Sequence, residues 1–201
     1  MQVTHSCLFV SERSFHEYFQ KPECDTFPKR NHKRPAFSYE EITVKQVILE
    51  ARVSRKTFYR NFSSKEDVLI SYLHAVITSY TDKLLSLKTL NLSGILDVIF
   101  DTCEAHQSLL QILLSNNLQY LLLYELNLAL PIIHRQIVSA GNPLFCGVPE
   151  KTVDYIIYFN IGAVYNVLMK WLENGCLENS ADIKEALLQY LTKNVLCTFS
   201  S

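Results

Sequence analysis

The stretch from Ile42 to Leu69, ITVKQVILEARVSRKTFYRNFSSKEDVL, carries the clearest helix signals in the chain. Thr43 is followed three residues later by Gln46, which is the pattern of a capping box at a helix start. Apolar residues then recur at steps of three and four, so they lie on one helix face that we expect to be buried. These residues are Val44, Val47, Ile48 and Ala51.

A second short helix is predicted from Arg55 to Phe62, after a turn at Arg52. Ser54 is suited to cap this helix, because a serine hydroxyl accepts a hydrogen bond from a free N–H of the first turn. Phe58 and Phe62 lie four residues apart and therefore share one face, which we expect to point inward.

A third helix is predicted to begin at a second capping-box pattern, Ser63 with Glu66, and to extend to about Leu84. Its apolar side holds Val68, Leu69, Tyr72 and Val76. Two short helices at a tight turn, followed by a longer one, predict a helix-turn-helix arrangement.

The second helix carries cations and hydroxyls opposite its two phenylalanines. Arg55, Lys56 and Tyr59 project there, near the N-terminal end, which is the part of a recognition helix that reaches base edges. An arginine can bond both O6 and N7 of guanine. The hydroxyls of Thr57 and Tyr59 suit phosphate oxygens. On the charge pattern alone, a solvated helical hairpin remains the alternative interpretation.

Charge is unevenly distributed along the chain. Ten Lys/Arg and three acids lie between Lys29 and Lys65, a net charge of +7, whereas the remaining residues carry a net charge of −8. A basic block on an acidic body indicates a polyanion partner at one end only. Part of this block is the run from Lys29 to Arg34, which is interpreted either as a solvated tail or as an arm that contacts DNA.

The remaining sequence predicts an all-α protein. Glycine and proline are scarce, and the alternation typical of strands is absent. Five further helices are predicted, at Ser93–Glu104, His106–Asn116, Leu118–Ala140, Glu150–Asn174 and Ala181–Cys197. Pro131 is expected to kink or split the third of these.

Several classes of protein are not expected from this sequence. The six cysteines lack metal-ligand spacing, which predicts reduced thiols in a cytosolic protein and no metal site. No signal peptide is recognisable. The best candidate for a membrane span, Leu118 to Ile133, is interrupted by Glu125, Asn127 and Pro131. Nothing resembles a catalytic constellation or a phosphate-binding glycine loop, so neither an enzyme nor a cofactor is expected.

The tract VSRKTFY at Val53–Tyr59, followed by Phe62 and Lys65-Glu66, resembles the DNA-binding segment of the tetracycline-repressor (TetR/AcrR) family. The resemblance is specific over about Phe37 to Leu73; beyond it, only size and helical layout are similar. It implies an irregular segment at 1–36, a helix-turn-helix DNA-binding domain with its connecting helix at 37–84, and a helical regulatory and dimerisation domain at 85–201. Since members of the family are mostly repressors released by a ligand, the resemblance implies a sequence-specific DNA-binding regulator that acts as a homodimeric, ligand-responsive repressor. A two-fold dimer places its recognition helices about one DNA turn apart, so the operator is expected to be roughly palindromic.

The resemblance also implies DNA-contacting residues, carried over by position. The residues that would face the groove are Lys45, Arg55, Lys56 and Tyr59. The residues that would hold phosphates are Thr43, Thr57, Asn61 and Lys65. The capping residue Ser54 completes the set. The expected partners are double-stranded DNA, a second copy of the chain and a small-molecule effector, with no membrane.

The larger domain offers weaker site candidates. Its candidates for a ligand pocket, chosen by location and polarity, are His106, Tyr124, His134, Tyr158 and Phe159. Aromatic stripes and single histidines are also ordinary components of a core. The small pair Gly162-Ala163 suits close approach of another helix. The predicted dimer seam consists of Gly162, Ala163, Leu187, Leu188 and Leu191.

Two features depart from the family pattern. The family usually has glycine where Arg52 stands, and a left-handed backbone there costs another residue about 1 kcal/mol. The family's first helix ends shortly before the position of Ile42, where this chain has a proline-broken basic stretch. Either residues 8–20 replace that helix or it is missing, for which an altered reading frame upstream of Phe37 is one explanation. A dimeric ligand-binding or interaction protein with impaired DNA binding is therefore the alternative function.

Overall fold

The computed structural model describes residues 39–139 and 149–197, except the side chains of 136–139 and 194–197. Within these residues there are eight α-helices, two short 3-10 helices and no strand, so the predicted all-α class is confirmed. The whole segment 1–36, with the basic run Lys29–Arg34, lies outside the described residues. The two alternatives for the first helix, its replacement by residues 8–20 or its absence, concern this segment.

The described helices agree with the predicted ones to within one helical turn at each end. The α-helices, in chain order, are α1 (Val44–Glu50), α2 (Arg55–Asn61), α3 (Lys65–Ser86), α4 (Leu92–Ala105), α5 (Gln107–Ser115), α6 (Gln119–Ser139), α7 (Val153–Glu173) and α8 (Ser180–Cys197). The 3-10 helices are η1 (Tyr39–Glu41) and η2 (Glu150–Thr152).

The predicted caps of the first two helices are confirmed. At α1 the Gln46 amide N–H donates to Thr43 Oγ1 over 3.3 Å, and the Thr43 amide N–H donates to Gln46 Oε1 over 2.7 Å. At α2 the Thr57 amide N–H donates to Ser54 Oγ over 3.0 Å. Each cap satisfies N–H groups that a helix leaves without an internal partner, and so determines where its helix begins.

The predicted cap of the third helix is wrong by one residue. The Asp67 amide N–H donates to Ser64 Oγ over 3.1 Å, and the Asp67 carboxylate accepts the amide N–H groups of Ser63 and Ser64 at 2.7 and 3.2 Å. The capping pair is therefore Ser64 with Asp67, not Ser63 with Glu66. Both pairs offer a serine hydroxyl with a carboxylate three residues later, so the spacing in the sequence does not distinguish the two registers.

Pro131 does not split α6, which runs unbroken from Gln119 to Ser139. A proline within a helix has no N–H to donate to the carbonyl four residues earlier, here that of Asn127. In this structure the Tyr158 hydroxyl lies 3.5 Å from the Asn127 carbonyl oxygen and donates to it. A side chain from α7 thus replaces the helical donor that Pro131 removes.

The chain forms two compact units, whose boundaries fall within α3, between α4 and α5, and within α6. Among the described residues, unit 1 comprises 39–78 and 106–126, and unit 2 comprises 79–105, 127–139 and 149–197. The most deeply buried side chains of unit 1 are Phe58, Val68, Leu69, Leu73 and Leu113. Those of unit 2 are Leu84, Phe100, Ile157 and Leu172.

In unit 2, Trp171 on α7 contacts both α4 and the segment between α7 and α8. The rings of Phe100 and Trp171 meet edge to face with centroids 5.4 Å apart, and the Trp171 indole N–H donates to the Glu178 carbonyl over 2.9 Å. Cys103 and Cys176 are free thiols, and burial raises the pKa of Cys103 to about 12. The Cys103 thiol is therefore protonated at neutral pH, as expected for a packed structural cysteine.

The described residues contain neither a metal-binding cluster nor a helix suited to cross a membrane. Within them, no cluster of three or more His, Cys, Asp or Glu side chains is arranged to hold a metal ion. None of the helices described combines the length and the apolar character that a bilayer crossing requires.

Candidate nucleic-acid interface

The turn between α1 and α2 has a left-handed backbone at Arg52, the position where glycine is the usual residue. Arg52 has φ = 53°. Its amide N–H donates to the Leu49 carbonyl over 3.2 Å, and the Val53 amide N–H donates to the Ile48 carbonyl over 3.2 Å. This pair of bonds is a Schellman motif, which satisfies carbonyls at the end of a helix. The tight turn therefore forms with arginine at the position that glycine usually occupies.

Phe58 and Phe62 anchor α2 in the core of unit 1, as predicted. They are 2% and 6% exposed, and their ring centroids lie 5.7 Å apart. Because these two rings point inward, the other side of this two-turn helix faces solvent. Arg55 and Lys56 are exposed, and Tyr59 is 50% exposed.

Arg55 and Tyr59 form a connected pair on the exposed side of α2. The guanidinium carbon of Arg55 lies 5.9 Å from the centroid of the Tyr59 ring, within cation–π distance. The Tyr59 ring in turn meets the buried Phe58 ring edge to face, at a centroid distance of 5.3 Å. The arginine that was predicted to read a base is thus held over a ring that rests on the core.

Further cations are exposed around this pair. Lys45, on α1, and Lys56 have no ion-pair partner within the part of the chain that the structure describes. Arg60 is also exposed and was not assigned to the interface from the sequence. It lies four residues after Lys56 and hence beside it on α2, a spacing that was available as a signal.

The hydroxyl and amide groups predicted to bind phosphate lie close to the caps. Thr43 is exposed, and its hydroxyl donates to Gln46 Oε1 over 2.7 Å. The hydroxyls of Ser54 and Thr57 are hydrogen-bonded to each other at 2.8 Å. The side-chain amide of Asn61 donates to the Thr57 carbonyl over 2.8 Å. These groups are therefore ordered by local bonds, and their contacts with phosphate stay a prediction.

Lys65 has a role inside the protein that the sequence did not indicate. Its ammonium donates to the carbonyls of Tyr39, Glu40 and Ile42 at 2.8, 3.3 and 3.0 Å, and lies 4.5 Å from the centroid of the Tyr39 ring. An ammonium has three N–H donors, so these carbonyls can occupy all of them. The predicted phosphate contact of Lys65 stays a prediction beside this structural role.

The predicted pocket residues are distributed over both units. In unit 1, His106 meets the Tyr72 ring at a centroid distance of 6.0 Å, and Tyr124 is 59% exposed. In unit 2, His134 Nδ1 is hydrogen-bonded to the Leu130 carbonyl at 2.8 Å. Burial lowers the pKa of His134, although the bond to Leu130 opposes this shift. Tyr158 donates to Asn127, and Phe159 is 69% exposed. Tyr124 and Phe159 therefore belong to the surface of the single chain.

The residues of the predicted dimer seam are partly or fully accessible in the single chain. Ala163 is exposed, and a Cβ atom placed on Gly162 would meet no atom within 4 Å. Leu187, Leu188 and Leu191 on α8 are half-buried.

Two protein-family models match the chain. The first, described as the C-terminal region of a transcriptional regulator, matches residues 90–193, which is just over half of the chain. The second, described as bacterial regulatory proteins of the tetR family, matches residues 37–72, which include α1, α2 and the start of α3. Comparison with curated proteins and with solved structures gave no match.

The left-handed turn generates a prediction for stability. Replacing Arg52 with glycine should yield a protein about 1 kcal/mol more stable than the Arg52→Ala variant, since only glycine adopts this φ without steric cost. Both variants lose the guanidinium, so they differ only in the Cβ atom. Urea denaturation of the two proteins measures the difference, and equal free energies of unfolding would contradict the assigned strain.

Proposed function

The chain belongs to the tetR family of bacterial transcriptional regulators, and from this we propose that it is a homodimeric repressor of a palindromic operator. We further propose that a small-molecule effector controls its binding. The observation that carries the proposal is the exposed, cationic side of α2, supported from below by the buried rings of Phe58 and Phe62. As a bacterial regulator it would act on DNA in the cytoplasm.

In the proposed complex, α2 lies in the major groove. Arg55, held over the Tyr59 ring, bonds a guanine edge, while Lys56 and Lys45 contribute positive charge to the same groove. The pairing with Tyr59 restricts the rotamers of Arg55 before DNA arrives, which lowers the entropy lost on binding.

Phosphate contacts would set the register of the protein on the duplex. The N-terminal ends of α1 and α3, at Thr43 and Lys65, have the helix polarity that favours an anion. Thr57 and Asn61 add polar groups on α2. Such contacts carry no sequence information, so affinity for any duplex should fall steeply with salt.

The proposed dimer forms through α7 and α8. Tyr155 and Phe159 are 75% and 69% exposed, and they recur four residues apart with Ala163 on one face of α7. Large exposed apolar side chains on one face are typical of an interaction surface. The open space over Gly162 leaves room for a helix of the second copy. A two-fold dimer would place its two α2 helices about 34 Å apart, one turn of DNA.

The effector is proposed to bind in the helical domain that the C-terminal family model matches. His134 is the most suitable polar candidate within it, because burial lowers its pKa and leaves the imidazole neutral at physiological pH. Nδ1 of this neutral ring donates its proton to the Leu130 carbonyl, so a hydrogen bond from an uncharged ligand would be accepted at Nε2.

The sequence-reading role of Arg55 is testable with duplexes selected from a random pool by the purified protein. Arg55→Ala should weaken binding to the selected duplex by about 1–3 kcal/mol, mainly through one base pair in each half-site. Affinities for the duplex and for its single-base variants, measured at fixed salt, locate the loss. Lys88→Ala, which also removes one exposed cation but lies between α3 and α4, should bind as the original protein does.

Two outcomes would contradict this assignment. Equal losses on every duplex for Arg55→Ala would remove its base-reading role. Failure of the original protein to select any duplex would overturn the repressor proposal and favour a dimeric ligand-binding or interaction protein.

The proposed dimer seam predicts the effect of a buried charge. Ala163→Glu should shift the protein from dimer to monomer, because the carboxylate would be desolvated between two copies of α7. Ala105→Glu introduces the same charge at the exposed end of α4, outside the proposed seam, and should leave the dimer intact. Analytical ultracentrifugation over a concentration series measures both, and an unchanged association constant for Ala163→Glu would contradict the seam.

A further inference from the structure

We propose that Asn116 and Lys65 are positioning residues for DNA binding, which fix the segment Tyr39–Ile42 and thereby the start of α1. This inference rests on the proposed function, since the property it concerns is DNA affinity. It assigns a role in that affinity to Asn116, a residue that lies far from α1 and α2 in the sequence.

The side chain of Asn116 is held in one orientation. Its Nδ2 donates to the Ile112 carbonyl over 2.9 Å, and its Oδ1 accepts the Tyr39 amide N–H over 2.7 Å. One end of the amide is therefore used as a donor and the other as an acceptor, and exchanging the two ends would lose both bonds. Asn116 also ends α5, and Asn117 after it is left-handed with φ = 57°. The turn between α5 and α6 thus presents a fixed acceptor to Tyr39.

Lys65 holds the same segment through its carbonyls, whereas Asn116 holds it through an amide N–H. The three carbonyls that its ammonium binds belong to Tyr39 and Glu40 within η1 and to Ile42 directly after it. The Tyr39 carbonyl also accepts the Ile42 amide N–H over 3.2 Å, so both of its lone pairs are used. The position of the ammonium over the Tyr39 ring adds a cation–π contact.

The held segment leads directly into α1. Tyr39 and Ile42 are 5% and 4% exposed, so both side chains are anchored in unit 1. The next residue is Thr43, the cap of α1, whose carbonyl accepts the Val47 amide N–H over 3.1 Å. A displacement of the segment therefore displaces the first turn of α1, together with Thr43 and Lys45.

Neither α1 nor α2 is long enough to be stable without contacts to the rest of unit 1. Each has seven residues, and a helix of two turns is not stable alone in water. Their placement depends on anchors elsewhere in unit 1, and Asn116 and Lys65 supply two polar anchors to one segment. Since both act on that segment, loss of either one should have much of the effect of losing both.

The experiment is a double-mutant cycle on the full chain, with the selected duplex, below the unfolding temperature of every variant. Asn116→Ala and Lys65→Met should each weaken binding about fivefold or more, as expected for loss of a polar anchor. In the double variant, the increase in the dissociation constant should be much smaller than the product of the two single increases, because both residues hold the same segment and the sites are coupled. Ser115→Ala, on the same turn, should bind as the original protein does.

The affinity of the folded protein for DNA distinguishes a positioning role of these two residues from a role in fold stability only. If the two residues only stabilise the fold, the free energy of unfolding falls while the dissociation constant stays unchanged, which overturns the proposal. If Lys65 acts only through a DNA phosphate, Lys65→Met lowers the salt slope by about one, and its effect adds to that of Asn116→Ala. This second result also overturns the proposal.

Hydrogen exchange of the free protein tests the positioning of α1 without DNA. Both variants should exchange the amide protons of Gln46 and Val47 about tenfold faster or more, while amides in α7 keep their rates. Unchanged exchange at Gln46 and Val47 overturns the proposal even if DNA binding falls. If the original protein binds no duplex, the proposed function fails, and the exchange rates alone decide whether these residues position α1.

Discussion

The burial of Phe58 and Phe62 is the constraint on which the interface depends. These two rings lie on one side of a two-turn helix, and their position in the core of unit 1 determines which side of α2 faces solvent. Lys56 lies on that solvent-facing side, whereas Arg55 and Tyr59, three residues before and one residue after Phe58, lie at its border and are exposed. The edge-to-face contact between Phe58 and Tyr59 extends the order of the core to the surface, where the Arg55 guanidinium lies over the tyrosine ring. The four-residue spacing of Phe58 and Phe62 thus determines both how α2 packs on the core and which of its side chains are exposed.

Short helices need precise ends, and polar groups supply them in this structure. Thr43, Ser54 and Ser64 cap the helices in turn, and a Schellman motif with a left-handed Arg52 closes α1. Each bond is worth only about 1 kcal/mol in a net sense. Their common effect is to leave α1 and α2 few alternative arrangements. The ammonium of Lys65, with its three carbonyl partners, extends the same principle to the segment before α1.

Local signals explain what was predictable from the sequence. The capping box at Thr43, the cap at Ser54 and the inward spacing of Phe58 and Phe62 involve residues three or four positions apart, and all are confirmed. The register at Ser64 was missed because Ser63 and Ser64, like Glu66 and Asp67, offer equivalent patterns one residue apart. The continuity of α6 through Pro131 depends on Tyr158, which lies on another helix. The bonds from Lys65 span up to 26 residues, and that from Tyr39 to Asn116 spans 77, so no local pattern reveals them.

The central claim is that the exposed side of α2 contacts DNA. Photo-crosslinking tests it most directly, with benzoylphenylalanine placed at position 59 and, in a matched protein, at position 124. Tyr59 and Tyr124 are 50% and 59% exposed, so both positions accept the probe at the surface of unit 1. Mass spectrometry of the irradiated complex with the selected duplex should find DNA attached at position 59 and not at position 124. Attachment at 124 alone, or at neither position in a complex that binds, would contradict the account.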